Sequence, residues 1–234
     1  MVCDTLIYHP SLGQLLKFFD STVGRDKLMR MVQYWARFYA FHLARSGKGK
    51  PAVDKWRSVM AQFALARKML RVGKPLQHLR AAAKAYDAQT VDPVVRYSAI
   101  LRQLSYACYL SVDSLLLAHA LRVVTLKNPQ QASRAYYKFW LAGIVSSVVG
   151  GTYRLYGLSR REASLHAQAE KDLGAIKKIR AEKTAGTHQL VLDVLDSSIP
   201  LSGLQYAGLD DGTVGVCGFV SSAIGAAAQW KAVA

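Results

Sequence analysis

The chain has 234 residues, with 31 Lys plus Arg against 15 Asp plus Glu for a net charge of +16, and 51% of it is apolar. Disordered basic tails combine high charge with few apolar residues, so this composition excludes wholesale disorder. Such a cationic chain calls for an anionic partner: nucleic acid, an anionic membrane face or an acidic protein. The apolar fraction weighs against a bare nucleic-acid binder. Residues 1–100 hold 17 basic and 6 acidic side chains, and residues 101–234 hold 14 and 9. Cys3, Cys108 and Cys217 are odd in number and far apart, which fits neither a disulfide framework nor a structural zinc site. No secretory signal is expected, because Asp4, His9 and Pro10 interrupt the region where its apolar run belongs.

Pro10 followed by Ser11 predicts a helix start, with Ser11 accepting an orphan N–H. Leu12, Leu15, Leu16 and Phe19 then recur at helical spacing. After a break at residues 21–24, residues 25–45 read as a second helix with the row Leu28, Met31, Val32, Trp35, Phe38, Tyr39 and His42. A Gly/Pro loop covers 46–51. Asp54 is expected to cap a third helix that runs to Val72 or beyond Pro75, and residues 76–87 form a fourth. Asp92 and Pro93 open a long helix over 94–126. No run alternates as a strand for more than a few residues, so the expected class is all-α.

Two later stretches look built for lipid. Residues 139–153 carry no charge, and extension to the flanking aromatics gives 136–158. At 1.5 Å per residue the longer segment covers about 34 Å, against a hydrocarbon core of about 30 Å. It spans if Lys138 and Arg154 snorkel, with Tyr136, Tyr137, Trp140, Tyr153 and Tyr156 at the interfaces. Residues 212–230 are 19 uncharged positions closed by Trp230 and Lys231. Gly143, Ser147 and Gly151 in the first stretch, and Gly218, Ser222 and Ala226 in the second, form rows of small residues that let helices approach closely. The competing reading is two buried helices of a soluble core. A third run, 103–121, is interrupted by Asp113 and His119 and fits either a tilted span or a buried helix. Residues 159–183 are charged and helical in period, and 188–199 make a short amphipathic segment that ends before Pro200. The expected organisation is a basic, amphipathic helical region over 1–93 facing the cytosol. A membrane-embedded helical region follows over 94–234, with two transmembrane helices, a third left open, and 159–183 between the spans.

The densest chemistry lies in 55–74. At 100° per residue Trp56, Val59, Met60, Phe63 and Leu70 share one arc, flanked by Arg57, Arg67, Lys68 and Arg71. Leu65, Met69 and Val72 make a second patch opposite. Bulky apolar residues beside clustered cations suit a helix lying in a bilayer interface. An ordinary packed helix with a solvated basic face has the same periodicity.

Residues 62–74, Gln-Phe-Ala-Leu-Ala-Arg-Lys-Met-Leu-Arg-Val-Gly-Lys, resemble the signature stretch of the fungal peroxin-11 family. Gly24-Arg25-Asp26-Lys27 leading into Tyr34-Trp35-Ala36-Arg37 resembles the same family, as does the Gly-rich C-terminal helix. The resemblance implies an integral protein of the peroxisomal membrane with both termini in the cytosol. It implies that the cationic helix enters the cytosolic leaflet and elongates or tubulates peroxisomes, promoting their fission and proliferation. It also implies a homo-oligomer, a dynamin-type GTPase among the fission machinery, and delivery by the peroxin-19 receptor. Trp56, Val59, Met60, Phe63 and Leu70 are then the wedge, with Arg57, Arg67, Lys68, Arg71 and Lys74 on headgroups of an anionic phospholipid membrane. Exchange of Arg67, Lys68 and Arg71 for Glu is expected to abolish binding to anionic vesicles.

No catalytic constellation, cofactor motif or metal-ligand spacing is expected. The six histidines are scattered, and Gly47-Lys48-Gly49-Lys50 lacks the phosphate-loop frame. Asp210 and Asp211 before Gly212 read as a turn and helix cap. Two alternatives stand beside membrane remodelling: a small-metabolite pore lined by Asp113, His119 and Arg122, and, more weakly, a nucleic-acid binder.

Overall fold

The computed structural model describes residues 9–89, 91–167 and 173–234. Those residues form eight helices: α1 (Pro10–Asp20), α2 (Thr22–Arg45), α3 (Lys50–Leu70), α4 (Lys74–Asp87), α5 (Pro93–Ala120), α6 (Pro129–Ala167), α7 (Leu173–Gly203) and α8 (Asp211–Ala232). The chain is therefore all-α among the described residues. It divides into two compact units, Met1–Val72 with Gln205–Ala234, and Gly73–Leu204. This partition follows packing, whereas the predicted regions 1–93 and 94–234 follow charge and hydropathy.

In the first unit α2 lies against both α3 and α8, and α1 touches α2 and α8. Helix α1 begins where Pro10 predicts, but His9 is its cap: the Ser11 N–H donates to His9 Nδ1 at 3.2 Å. A proline at the first helical position leaves the residue before it as the cap. Ser21 caps α2 by accepting from the Gly24 N–H, so the expected break at 21–24 shrinks to one residue. Asp54 lies inside α3, which starts at Lys50 with Pro51 in its first turn. It ends at Leu70, because Gly73 at φ +83° turns the chain before α4.

The α2–α8 contact depends on small residues. A side chain at Gly215 would reach within 2.7 Å of the Phe38 backbone nitrogen. Gly218 lies against the Tyr34 ring and Gly225 against the Lys27 stem. Arg37 clamps one end of the pair, with Nη2 at 2.6 Å and Nε at 2.9 Å from Asp211 Oδ1.

The second unit is a meander in which α4 packs on α5, α5 on α6 and α6 on α7. Asp92 caps α5, which ends at Ala120 rather than near 126, with Arg122 at φ +60° in the turn that follows. Helix α6 carries straight through residues 136–158 into the charged segment, part of which (168–172) lies outside the described residues. Helix α7 continues past the predicted stop and holds a fully buried Pro200 in its last turn. Ser197 and Ser198 donate back to the carbonyls of Val194 and Leu195, and Leu204 N–H bonds the Pro200 carbonyl, so the last turn is closed around the missing donor.

Candidate membrane-contact surfaces

The predicted wedge helix does not present its expected arc freely. Trp56 meets the Tyr39 ring edge-on at 4.8 Å, and Val59, Met60, Phe63 and Leu70 are half-buried in the unit that contains α2 and α3. Arg57 is exposed, 3.8 Å from Asp54. Lys68, Arg71 and Lys74 are half-buried and make contacts of their own. Arg67 has a different environment from a headgroup ligand, being only 8% exposed. Its Nε donates to Asp26 Oδ1 at 3.0 Å and its Nη1 to Gln33 Oε1 at 2.7 Å, so it ties α3 to α2. The large apolar residues left outward near the end of α3 are Met69 and Val72, members of the patch opposite the predicted wedge.

Helix α4 carries a clearer amphipathic face. Leu76, Ala83 and Tyr86 are exposed at helical spacing with Leu79 between them, Leu76 at 71% and Tyr86 at 64%. Exposed Arg80 and Lys84 run along one flank. The opposite side docks on α5: Ala82 is buried, and His78 stacks on Tyr106 at 5.5 Å while its Nδ1 lies 2.6 Å from Gln103 Oε1. The spacing of Leu76, Leu79, Ala83 and Tyr86 is a signal within the sequence itself, beside the denser cation cluster of 67–74.

Helix α8 matches the predicted 212–230 closely. Asp210 accepts from the Thr213 N–H at 2.7 Å as its cap, and bonds from that turn hold the Asp210 carboxyl below its usual range. Among the described residues it is the one helix long and apolar enough to cross a membrane by length and composition. The two or three expected spans thus reduce to one by that measure. Lys138 and Arg154 with several Ser, Gly and Tyr residues dilute 136–158, and 103–121 contains Asp113, which is buried inside its helical unit at 2% exposure. The predicted small-residue rows pack within the chain. Gly218 and buried Ser222 lie on α8, whose neighbour is α2, and Ala226 is half-buried there. A side chain at Gly143 would come within 3.2 Å of the Tyr106 ring and one at Gly151 within 3.1 Å of Leu190, and the Ser147 hydroxyl donates to Asp193 at 2.6 Å. Outward faces stay apolar: Val216 and Val220 on α8, and Phe139, Val145, Val149, Tyr153 and Tyr156 on α6.

The pore-lining candidates do not converge. Asp113 is buried within α5, His119 Nδ1 lies 3.3 Å from the Val124 carbonyl and accepts from the Leu126 N–H at 3.4 Å, and Arg122 forms the turn. Cations in and just before the 159–183 segment are drawn into pairs between α6 and α7. Arg154 meets Glu182 at 3.0 Å, and Glu162 accepts from Lys183 at 2.8 Å and from Arg180 at 2.9 Å. Those last two bonds, Lys183 first, hold the Glu162 carboxyl down from 4.5 to about 2. A depressed folded-state value means the contribution is complete above about 4.5 and lost as pH falls through about 2. Amide protection near Glu162, taken as the exchange rate relative to the intrinsic rate at each pH, is expected to fall as pH is lowered from 5 to 2 in the parent chain. In Glu162→Gln this acid-dependent step is expected to be absent.

The model of a family described as peroxisomal biogenesis factor 11 (PEX11) matches residues 12–230. The chain is 35% identical to peroxisomal membrane protein PMP27 of Saccharomyces cerevisiae, with 99% of this chain and 100% of that one covered. It is 30% identical to PMP30A of Candida boidinii, with 99% of each covered, and 23% identical to human peroxisomal membrane protein 11B, with 88% and 92% covered. No solved structure matches.

Proposed function

We propose that this chain, which belongs to the PEX11 family of peroxisomal membrane proteins, drives peroxisome proliferation by laying amphipathic, cationic helical surface into one leaflet of the peroxisomal membrane. The observation that carries the reading is the face of α4: Leu76, Leu79, Ala83 and Tyr86 point away from α5 with Arg80 and Lys84 beside them. Insertion of two leucines and a tyrosine contributes on the order of 5 kcal/mol, and each cation adds about 1 kcal/mol near an anionic surface. Shallow insertion spreads the headgroups of one leaflet and lowers the work of bending it outward. Lys68, Arg71 and Lys74 supply further headgroup contacts in this scheme, and Met69 and Val72 further apolar depth. Helix α8, closed by Trp230 and Lys231, anchors the chain as one span, and residues 136–158 form the second, which leaves both termini in the cytosol. Self-association, recruitment of a dynamin-type GTPase and delivery by the peroxin-19 receptor belong to the same reading.

The test is co-sedimentation with anionic vesicles, together with electron microscopy of their shape. Leu76→Asp combined with Leu79→Asp is expected to weaken vesicle partitioning at least about a hundredfold and to leave the vesicles round. Arg80→Glu with Lys84→Glu is expected to weaken it less, with the difference vanishing at high salt. Undiminished tubulation by the Leu76/Leu79 variant rejects α4 as the wedge.

A further inference from the structure

One whole face of the apolar helix α8 is already covered. Val214, Gly215, Gly218, Ser221, Ser222 and Gly225 are buried, and the helix that lies along them is α2. The two run antiparallel. Arg37 meets Asp211 at one end, Phe38 and Tyr34 follow against Gly215 and Gly218, and the Lys27 stem lies against Gly225. At the other end Gln229 donates to the Ser21 hydroxyl at 3.3 Å.

This cover does not suit the interior of a bilayer. The middle of α8 lies between Gly218 and Gly225, so the part of α2 beside it is the stretch from Lys27 to Tyr34. Arg30 sits in that stretch, only 6% exposed, with its guanidinium over the Tyr34 ring at 5.4 Å. Were α8 to span with α2 in place, Arg30 would be carried to the middle of the hydrocarbon, with Lys27 and Asp26 close by. Charged side chains at the centre of a span are costly, and the interface is about 15 Å away, beyond the reach of a snorkelling stem. The two neighbours of α2 also hold it differently. Helix α3 is tied to it by the buried Arg67, through Asp26 at 3.0 Å and Gln33 at 2.7 Å. Between α2 and α8 the middle of the seam is glycine against aromatic rings, and the hydrogen bonds among the described residues lie at the two ends. The α2–α8 seam is thus the one able to part without stranding a buried charge.

We propose, taking α8 as the anchor of the function proposed above, that α2 is a removable cover for that span. With α2 on its glycine face α8 is held out of the bilayer, and it enters only by leaving α2, which stays with α3. Covered and inserted forms are then two states of one chain, and whatever holds the seam closed draws the population away from the membrane.

The test locks the seam reversibly in the full-length chain. Trp35→Cys and Phe219→Cys replace two rings that meet at 5.6 Å across it, in a background of Cys3→Ala, Cys108→Ala and Cys217→Ala. A bis-methanethiosulfonate then joins the two thiols through reducible disulfides. The chain is offered to vesicles of phosphatidylcholine with phosphatidic acid, and the fraction resisting carbonate extraction is measured. The unlinked chain is expected to integrate, the linked chain at least about tenfold less, and dithiothreitol is expected to restore the linked chain. Each single-cysteine chain given the same reagent is expected to integrate like the unlinked one. Gly215→Val, which opens the seam with no crosslink, is expected to integrate faster than the parent. Equal integration of linked and unlinked chains overturns the cover, as does an unchanged rate in Gly215→Val or an equal loss in a single-cysteine chain. An unlinked chain that leaves with the carbonate wash is a different result: it rejects α8 as the anchor, and the cover with it.

Discussion

Arg67→Ala is expected to destabilise the α2–α3 pair by about 3–5 kcal/mol, the cost of removing one member of a buried ion pair. The carboxylate of Asp26, 8% exposed, loses the guanidinium that lies 3.0 Å away, and Gln33 loses its 2.7 Å donor. Melting followed by Trp35 and Trp56 fluorescence, backed by limited proteolysis, reads this directly. Asp26→Leu with Arg67→Met is expected to recover most of the lost stability, since a hydrophobic pair of similar volume avoids burying charge. An unchanged melting curve for Arg67→Ala contradicts the buried pair. The same geometry alters the experiment first suggested by the cation cluster. A triple exchange of Arg67, Lys68 and Arg71 for Glu sets a second carboxylate against Asp26, so loss of vesicle binding by that variant reports unfolding as well as lost headgroup contact. Lys68→Glu with Arg71→Glu, keeping Arg67, is the cleaner probe.

Gly215→Val is expected to cost about 3 kcal/mol or more, the upper end for overpacking. The added Cβ would fall 2.7 Å from the nitrogen and 2.8 Å from the Cα of Phe38, and backbone cannot rotate aside as a side-chain tip does. Relief requires α8 to move off α2, loosening the aromatic contact of Phe219 with Trp35 and the Arg37–Asp211 clamp. Protease sensitivity appearing in α2 and α8 together is the expected signature. Gly208→Val, where a side chain meets nothing within 4 Å, serves as the control.

Much of the helical outline was legible because the 3.6-residue period and the caps are local signals. Pro10, Ser21, Asp92 and Asp210 mark helix starts within a residue or two, and the limits of α8 follow from its uncharged run. Orientation was less legible. Which face of α3 turns inward is decided by Asp26, 41 positions away from Arg67, and no periodicity within α3 encodes that. The length of α7 was hidden by Pro200, since residue preference marks proline as a breaker while burial and neighbouring serines hold the turn. The cover over α8 was invisible for the same reason as the ion pair: Phe38 and Gly215 meet only once two distant helices are assembled.

The pairing of α2 with α8 also bears on how the protein is made. Arg37 and Asp211 are 174 residues apart, and Gln14, whose amide donates to the Trp230 carbonyl, is 216 residues from its partner. At roughly 5–20 residues per second, α8 is synthesised on the order of 10–30 s after α2. Throughout that interval Tyr34 and Phe38 lack the glycine face that covers them. The first unit is therefore completed only once α8 has emerged. Until its partner arrives, the nascent first unit keeps an apolar helix face uncovered, a state open to non-native association.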